Sequence, residues 1–481
     1  MYLGIDIGTS AIKVLLTDER LRPVTVASVS LSVQRPFDGW SEQHPQDWLA
    51  AIDTAMAEIK AGHQAALSSV RAIGLSGQMH GLVALDKSDE IVRPAILWND
   101  GRNGDEAKEL DEKVPAFRTI GGNAVMPGFT APKALWMARH EADLFNQIKM
   151  ILLPKDYVRF WLSGEFISDM SDSSGTLWLD VARRDYDDSL LAACHLSRDH
   201  VPALAEGEAP AGRLRASLAE KWGITGRPVI SGAGDNAAAA CGLGVTKPGD
   251  AFLSLGTSGV VFAVTDRFAP AADSGAHAFC HALANRWHQM GVILSATDSL
   301  SWLAEITGQS VADLARQAAG LSDEGTNLYF HPYLSGERTP HNDPDARGGF
   351  FGLSRGHGSA EMAYAVLQGV GYAMTDAVDV LAQTGHRPSE LLATGGGSKN
   401  HHWLQMICDM TGVPITLPVD GDFGASLGAA RLAALADGQD HDVILQKPDI
   451  AHHFTPDADR TAFHDERRQH WQALFHAVQQ I

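Results

Sequence analysis

The feature that most constrains this chain occurs twice. Residues 2–16 read YLGIDIGTSAIKVLL: an apolar run, then Gly8-Thr9-Ser10, then a second apolar run. Residues 251–264 read AFLSLGTSGVVFAV and repeat the design around Gly256-Thr257-Ser258, about half the chain later. Short runs of Val, Ile, Leu and Phe bounded by Gly and Ser are strand signals, so each copy predicts a hairpin. Two halves that open on the same device predict two related domains. Two facing domains enclose a cleft, where small ligands usually bind. At 481 residues and 45% hydrophobic content the chain is long enough for two cores. The expected division is 1–244 and 245–481, with the last helix free to pack back on the first domain.

Between the hairpins, strands and helices alternate. A helix is expected from Pro45 to Gly62: Pro sits in its first turn, Trp48, Ile52, Met56 and Ile59 recur at helical spacing, and Gly62 is the stop. A longer one starts at Ser359 as N-cap and ends at Gly385. Strands at 71–75, 227–231 and 391–394 each run into a polar or glycine-rich turn. This pattern is that of an α/β protein.

Asp6 is the anomaly in the first strand. Burying even a neutral polar group without a partner costs about 2–7 kcal/mol, so Asp6 needs either Lys13, seven residues on, or a ligand cation. The second copy has Ser254 and Val261 at the matching positions, so only the first turn is charged. Small residues in a tight turn leave backbone N–H groups pointing outward, which is the chemistry of a phosphate cradle. Two ordinary hairpins are the structural alternative.

Three other turns carry candidate chemistry. In Gly232-Ala-Gly-Asp235-Asn236 a carboxylate follows a strand, where it can act as general base toward a hydroxyl while Asn236 orients the substrate. Helix capping is the competing role. Gly232-x-Gly234-x-x-Ala237 also fits a dinucleotide fingerprint, but an acid inside the loop would face the pyrophosphate. Gly395-Gly396-Gly397-Ser398-Lys399-Asn400 can lie flat against a nucleoside. Gln78-Met79-His80 offers an adaptable apolar wall and a hydrogen-bonding ring, suited to a small polyol. His277, Cys280, His281 and His288 invite a metal site, though their spacing fits no standard zinc pattern. There is no GxxxxGK[ST] phosphate loop.

The formal charge is −20 and basic residues are scattered, which argues against nucleic acid as a partner. No apolar stretch is long enough to cross a membrane, and the opening residues do not read as a signal peptide. Four cysteines without CxxC spacing are expected to be reduced thiols in the cytoplasm.

Together, the Asp-x-Gly-Thr-Ser start, the second Gly-Thr-Ser turn, the Gly-Asp-Asn loop and the late Gly-Gly-Gly turn resemble the FGGY carbohydrate kinases. So do Gly348-x-Phe350-x-Gly352-Leu353 with 361–368, and Gly128-Phe-Thr130-Ala-Pro-Lys133 with 134–137. One position departs from the family pattern: Ala134 stands where a larger apolar residue is usual, which touches local packing alone. GQMHGLVALD, LLPKDYVR, SDMSDSSGTLWLD and PYLSGERTPHNDP resemble the family's xylulose-phosphorylating branch. The resemblance implies two actin-like (ribonuclease H-like) ATPase domains facing a cleft. It implies ATP and Mg²⁺ as cofactors and D-xylulose as the small-molecule sugar partner, with a homodimer left open. By the same resemblance Asp235 is the base and Met79, His80 and Asn236 contact the sugar. Asp6 faces Mg²⁺, Thr9, Ser10, Lys13, Gly256 and Thr257 hold phosphates, and Gly396 and Asn400 hold adenosine. A relative acting on ribulose, gluconate or glycerol and a non-enzymatic sugar sensor on the same fold are the alternatives.

Overall fold

The computed structural model describes residues 1–321, 326–419 and 424–478. Both hairpins form. Tyr2–Ile7 pairs antiparallel with Ala11–Thr17, with Asp6 directly opposite Lys13. Ala251–Leu255 pairs with Gly259–Thr265. The second turn is tighter: Leu255 pairs with Gly259, so Ser254 faces Val260 and not the expected Val261.

Each hairpin belongs to a seven-stranded sheet, and the two sheets share one strand order. In the first half the order is Pro23–Ser30, Ala11–Thr17, Tyr2–Ile7, Ala72–Gly77, Pro228–Ile230, Pro210–Arg213. In the second it is Trp287–Ile293, Gly259–Thr265, Ala251–Leu255, Leu391–Thr394, Ile415–Pro418, Ile450–Phe454. Directions match as well. The opening strand is antiparallel to its hairpin mate and parallel to the next strand, and the last strand of each run is antiparallel to its neighbour. The repeated sequence is therefore a repeated topology. The central strands are buried on both faces, as the adjacent pairs Tyr2–Leu3 and Phe252–Leu253 show, which is what parallel sheets covered by helices require.

The halves are joined through two helices that each cross to the other side. Asp235–Leu243 sends Ala240 and Leu243 into the cluster formed by Phe252, Phe262 and Leu392 of the second sheet. Gly424–Ala436 lies against the first sheet and against Asp235–Leu243. The approach is backbone to backbone: a methyl group at Gly4, Gly74 or Gly428 would overlap the carbonyl oxygens of Ser426, Ala429 and Ala238 respectively. Only glycine permits that spacing.

Three expectations change. The helix from Pro45 does not stop at Gly62. Its backbone breaks at His63 and resumes to Ser68. A glycine weakens a helix by about 1 kcal/mol, less than the gain from docking Leu67, which is fully buried. The long helix Ser359–Gln383 is capped at Gly358, whose N–H donates to the Glu361 carboxylate at 2.9 Å. The last helix, Ala458–Val478, stays with the second half. Its Trp471 indole donates to the Phe330 carbonyl at 2.7 Å, and it is Gly424–Ala436 that packs on the first sheet.

Candidate active site

Tyr2–Ile7, Ala72–Gly77 and Ala233–Gly234 are parallel, so their carboxyl ends share one edge. In register, Asp6 lies beside Ser76, and Ser76 lies beside Ala233. That register brings Asp6 and Asp235, two carboxylates far apart in sequence, into one electrostatic neighbourhood. The Ser76 hydroxyl donates to Asp6 Oδ1 at 3.1 Å. Asp235 is the first residue of its helix, and Asn236 donates both its N–H (2.7 Å) and its Nδ2 (3.0 Å) to Asp235 Oδ1. Asn236 thus orients the carboxylate with its N–H and one Nδ2–H, and keeps a second Nδ2–H for a ligand. Burial first, and the negative Asp6 second, push the Asp235 carboxyl up to about 7. Asp6 is also raised by burial, with Ser76 and Lys13 acting against it. Lys13 itself is exposed, and among the described residues no Lys or Arg lies within 4 Å of either carboxylate.

Beside them, Met79 and His80 form a wall. Met79 fills the space above Gly234, and His80 sits in the left-handed region at φ 68°, a strained place for a non-glycine residue. Its carbonyl is clamped by the Thr130 hydroxyl (3.1 Å) and by Lys133 Nζ (3.0 Å), which also donates to the Gly128 carbonyl. His80 Nδ1 lies 2.9 Å from the Gly175 carbonyl, which can only accept, so Nδ1 carries the proton. Burial, then the Lys133 cation, bring the ring down to about 3, so it is neutral. His80 Nε2 is therefore an acceptor for a hydroxyl.

A buried ionic cluster lies behind this wall. Lys155 reaches Asp156 (2.5 Å), Asp169 (3.0 Å) and Asp172 (3.6 Å), and Arg159 pairs with Asp156 at 2.8 Å. The Ser171 hydroxyl accepts the Gly234 N–H at 3.1 Å, tying the cluster to the Asp235 loop.

The two Gly-Thr-Ser turns are held differently. The Thr9 hydroxyl donates to Gln78 Oε1 and accepts from the Trp98 indole, both at 2.9 Å. Its only proton is taken, so Thr9 can serve a phosphate through its main chain alone. Ser10 is exposed at the same turn. In the second turn the Gly256 carbonyl accepts the Thr297 N–H (3.0 Å) and hydroxyl (2.8 Å), and the Thr257 carbonyl accepts the Ala296 N–H (2.8 Å). These bonds seat the turn on the start of helix Thr297–Thr307 and leave the Thr257 side chain exposed.

Because Leu391–Thr394 runs parallel to Ala251–Leu255, the glycine turn Gly395–Gly397 sits beside Gly256. The glycine turn borders a cavity of about 730 Å³ lined by Thr297, Leu300, Ala315, Gly396, Asn400 and Trp403; Thr297 is the residue that bonds the Gly256 carbonyl. A side chain at Gly396 would meet nothing, so its backbone is open to this cavity. Asn400 Oδ1 caps helix His401–Thr411 by accepting from the Trp403 N–H at 3.1 Å. The apolar wall fits a purine, and the cavity's size suits a nucleoside. The carboxylate pair without a nearby cation fits Mg²⁺, which is commonly held by one or two carboxylates plus phosphates. Among the described residues no group of three or more His, Cys, Asp or Glu is placed to hold a metal, so the His277–His288 metal reading fails.

The N-terminal domain of the FGGY family of carbohydrate kinases matches residues 1–242, and its C-terminal domain matches residues 251–436. The chain belongs to the FGGY family of carbohydrate kinases. It is 48% identical over 478 residues to the xylulose kinase of Escherichia coli K12, covering 99% of this chain and 98% of that protein. It is similar to the solved "xyloylose kinase" of Brucella ovis, with TM-score 0.96, 49% identity and 99% of each chain covered. The gluconate kinase of Lactobacillus acidophilus is more distant, with TM-score 0.92, 25% identity, and 99% and 97% covered.

In this carbohydrate kinase, sequence reading missed groups that reach the Met79–His80 wall from the second half. His277 stacks on Phe279 and meets Phe129 edge-on at 5.6 Å. Burial is what chiefly lowers His80, Lys133 and His277, and the nearby Arg338 charge adds to the lowering of each. The sequence singles out His277 only within a histidine and cysteine group whose spacing fits no standard zinc pattern. Arg338 lay inside a quoted motif with no local pattern to single it out.

Proposed function

We propose that this kinase transfers the γ-phosphoryl group of ATP to the terminal hydroxyl of D-xylulose, giving D-xylulose 5-phosphate and ADP. The observation that carries the mechanism is Asp235, a half-buried carboxyl held near neutrality beside a hydroxyl-accepting wall. The names of its relatives support the choice of sugar. Asp235 accepts the proton of the C5 hydroxyl as its oxygen forms the new bond to phosphorus, and the bond from phosphorus to the β-phosphate bridging oxygen breaks. A base with pKa near the working pH suits that transfer. Asn236 aims the carboxylate. Met79 and His80 Nε2 hold the sugar against it.

Asp6 would hold Mg²⁺ of the nucleotide, which when bound neutralises the charge of the phosphate oxygens. Ser10, Lys13 and the main chain of Thr9 would meet phosphate from the first half, and Gly256 and Thr257 from the second. Gly396 and Asn400 would border the adenosine. All four cysteines are free and buried, which fits a cytoplasmic setting. No described helix is long and apolar enough to cross a membrane.

The test is ADP formation, coupled to a reporter enzyme, across D-xylulose, D-ribulose, D-gluconate and glycerol. D-xylulose should give the highest kcat/KM. A higher value for any other member overturns the assignment of substrate and leaves the family untouched.

A further inference from the structure

Resting on the proposed reaction, the chemistry of the sugar narrows the form that can bind. A 2-ketopentose closes its ring through the C5 oxygen, so a C5 hydroxyl free to react exists only in the open chain. The bound substrate therefore carries an exposed C2 carbonyl, an acceptor without a proton. Near Asp235 the spare donor is the second Nδ2–H of Asn236, held at the reacting C5 end by its bond to Asp235; the other groups there, the two carboxylates and His80 Nε2, are acceptors. These acceptors match hydroxyls and cannot serve a carbonyl.

Donors lie on the far side of the wall. The His80 carbonyl, Lys133 and Gly128 are joined by the Lys133 bonds. Arg338 Nη2 comes within 3.3 Å of where a side chain on Gly128 would begin. Among the described residues the Arg338 guanidinium has no carboxylate within 4 Å and no side-chain hydrogen bond. Its neighbour Glu337 instead turns Oε1 to the backbone N–H groups of Leu294 and Arg338, at 2.9 and 2.7 Å. Arg338 is half-buried, and its guanidinium is free to donate to an acceptor that a ligand supplies. His277 does not compete for it. The Asn123 amide donates to the Gly121 and Ala278 carbonyls, so Asn123 Oδ1 accepts from His277 Nδ1 at 3.0 Å and His277 Nε2 is one more acceptor.

We propose that Arg338, reaching across from the second half, donates to the C2 carbonyl oxygen of the open-chain ketose and so selects ketoses over the corresponding polyols. The substrate then bridges the halves, with its reacting hydroxyl on Asp235 of the first and its carbonyl on Arg338 of the second.

The experiment compares D-xylulose with xylitol, which differs only in having a hydroxyl at C2. Wild type and the variants Arg338→Met and Arg338→Lys are assayed for KM and kcat with D-xylulose and for inhibition by xylitol. Loss of one charge-assisted hydrogen bond should raise the D-xylulose KM about 10–100-fold in Arg338→Met. The xylitol inhibition constant should move less than about threefold, the ATP KM should hold, and Arg338→Lys should recover part of the loss. Equal weakening of both ligands, or no change in either, overturns the proposal. A melting temperature that falls in Arg338→Met shifts the comparison to Arg338→Lys, where the same ratio decides. Failure of the substrate assignment is read separately, in wild-type turnover alone.

Discussion

Asp235→Asn should cut turnover severely and, above neutral pH, make the protein more stable. The carboxyl stands at about 7 against an ordinary 3.8, from burial first and Asp6 second. At about 1.4 kcal/mol per pH unit, that difference corresponds to about 4 kcal/mol. Asp235 keeps partial contact with solvent, so screening brings the expected effect to about 2 kcal/mol. The folded protein binds this proton more tightly than the unfolded chain does. Ionised Asp235 therefore destabilises the fold increasingly as pH rises from 3.8 to about 7, and fully above that. Asn keeps the shape and the Oδ1 acceptor that Asn236 uses, without the charge. Midpoints of urea unfolding at pH 5, 6.5 and 8 should show a gain for Asp235→Asn that is largest at pH 8 and small at pH 5. Sugar-dependent ADP formation should fall about 10²–10⁴-fold, as loss of a general base does. A gain independent of pH, or none at pH 8, refutes the electrostatic reasoning. Near-normal turnover refutes the assignment of the base.

Three further outcomes follow from the same geometry. Asp6→Asn removes the negative neighbour, so the Asp235 carboxyl should titrate below 7 by carbon NMR; an unchanged titration places the two groups farther apart than described. Gly396→Val fills open space bordering the cavity proposed for the nucleoside and should raise the ATP KM by about an order of magnitude, roughly the cost of a clash at a built pocket, with D-xylulose KM and melting temperature unchanged. Gly428→Ala drives a methyl into the Ala238 carbonyl between the two crossing helices; unfolding free energy should drop by about 1–3 kcal/mol, read as a lower urea midpoint.

Much of the site was legible because it lies in short, local patterns. Asp6, Gly-Thr-Ser, Asp235-Asn236 and Gly395–Gly397 each occupy a strand end, and the composition of a strand and its turn is written in consecutive residues. Local reading does not show a partner that is remote in sequence. Thr9 looks like a phosphate donor until Gln78 and Trp98 take its hydroxyl. Asn236 is legible as a polar neighbour of Asp235, but that it aims the carboxylate shows only in the fold.

The sequence by itself determined two hairpin-led α/β halves, the family, and the residue types able to bind phosphate and accept a proton. Periodicity and turn chemistry act over a few residues, so one chain displays them unfolded. The tertiary structure decided which of those groups are free, and at what pH they ionise. It set Asp6 beside Asp235, buried Lys133 under His80, and brought His277 and Arg338 across to the first half. Desolvation and charge–charge energies depend on neighbours in space, and here the deciding neighbours are 50 to more than 200 residues away along the chain.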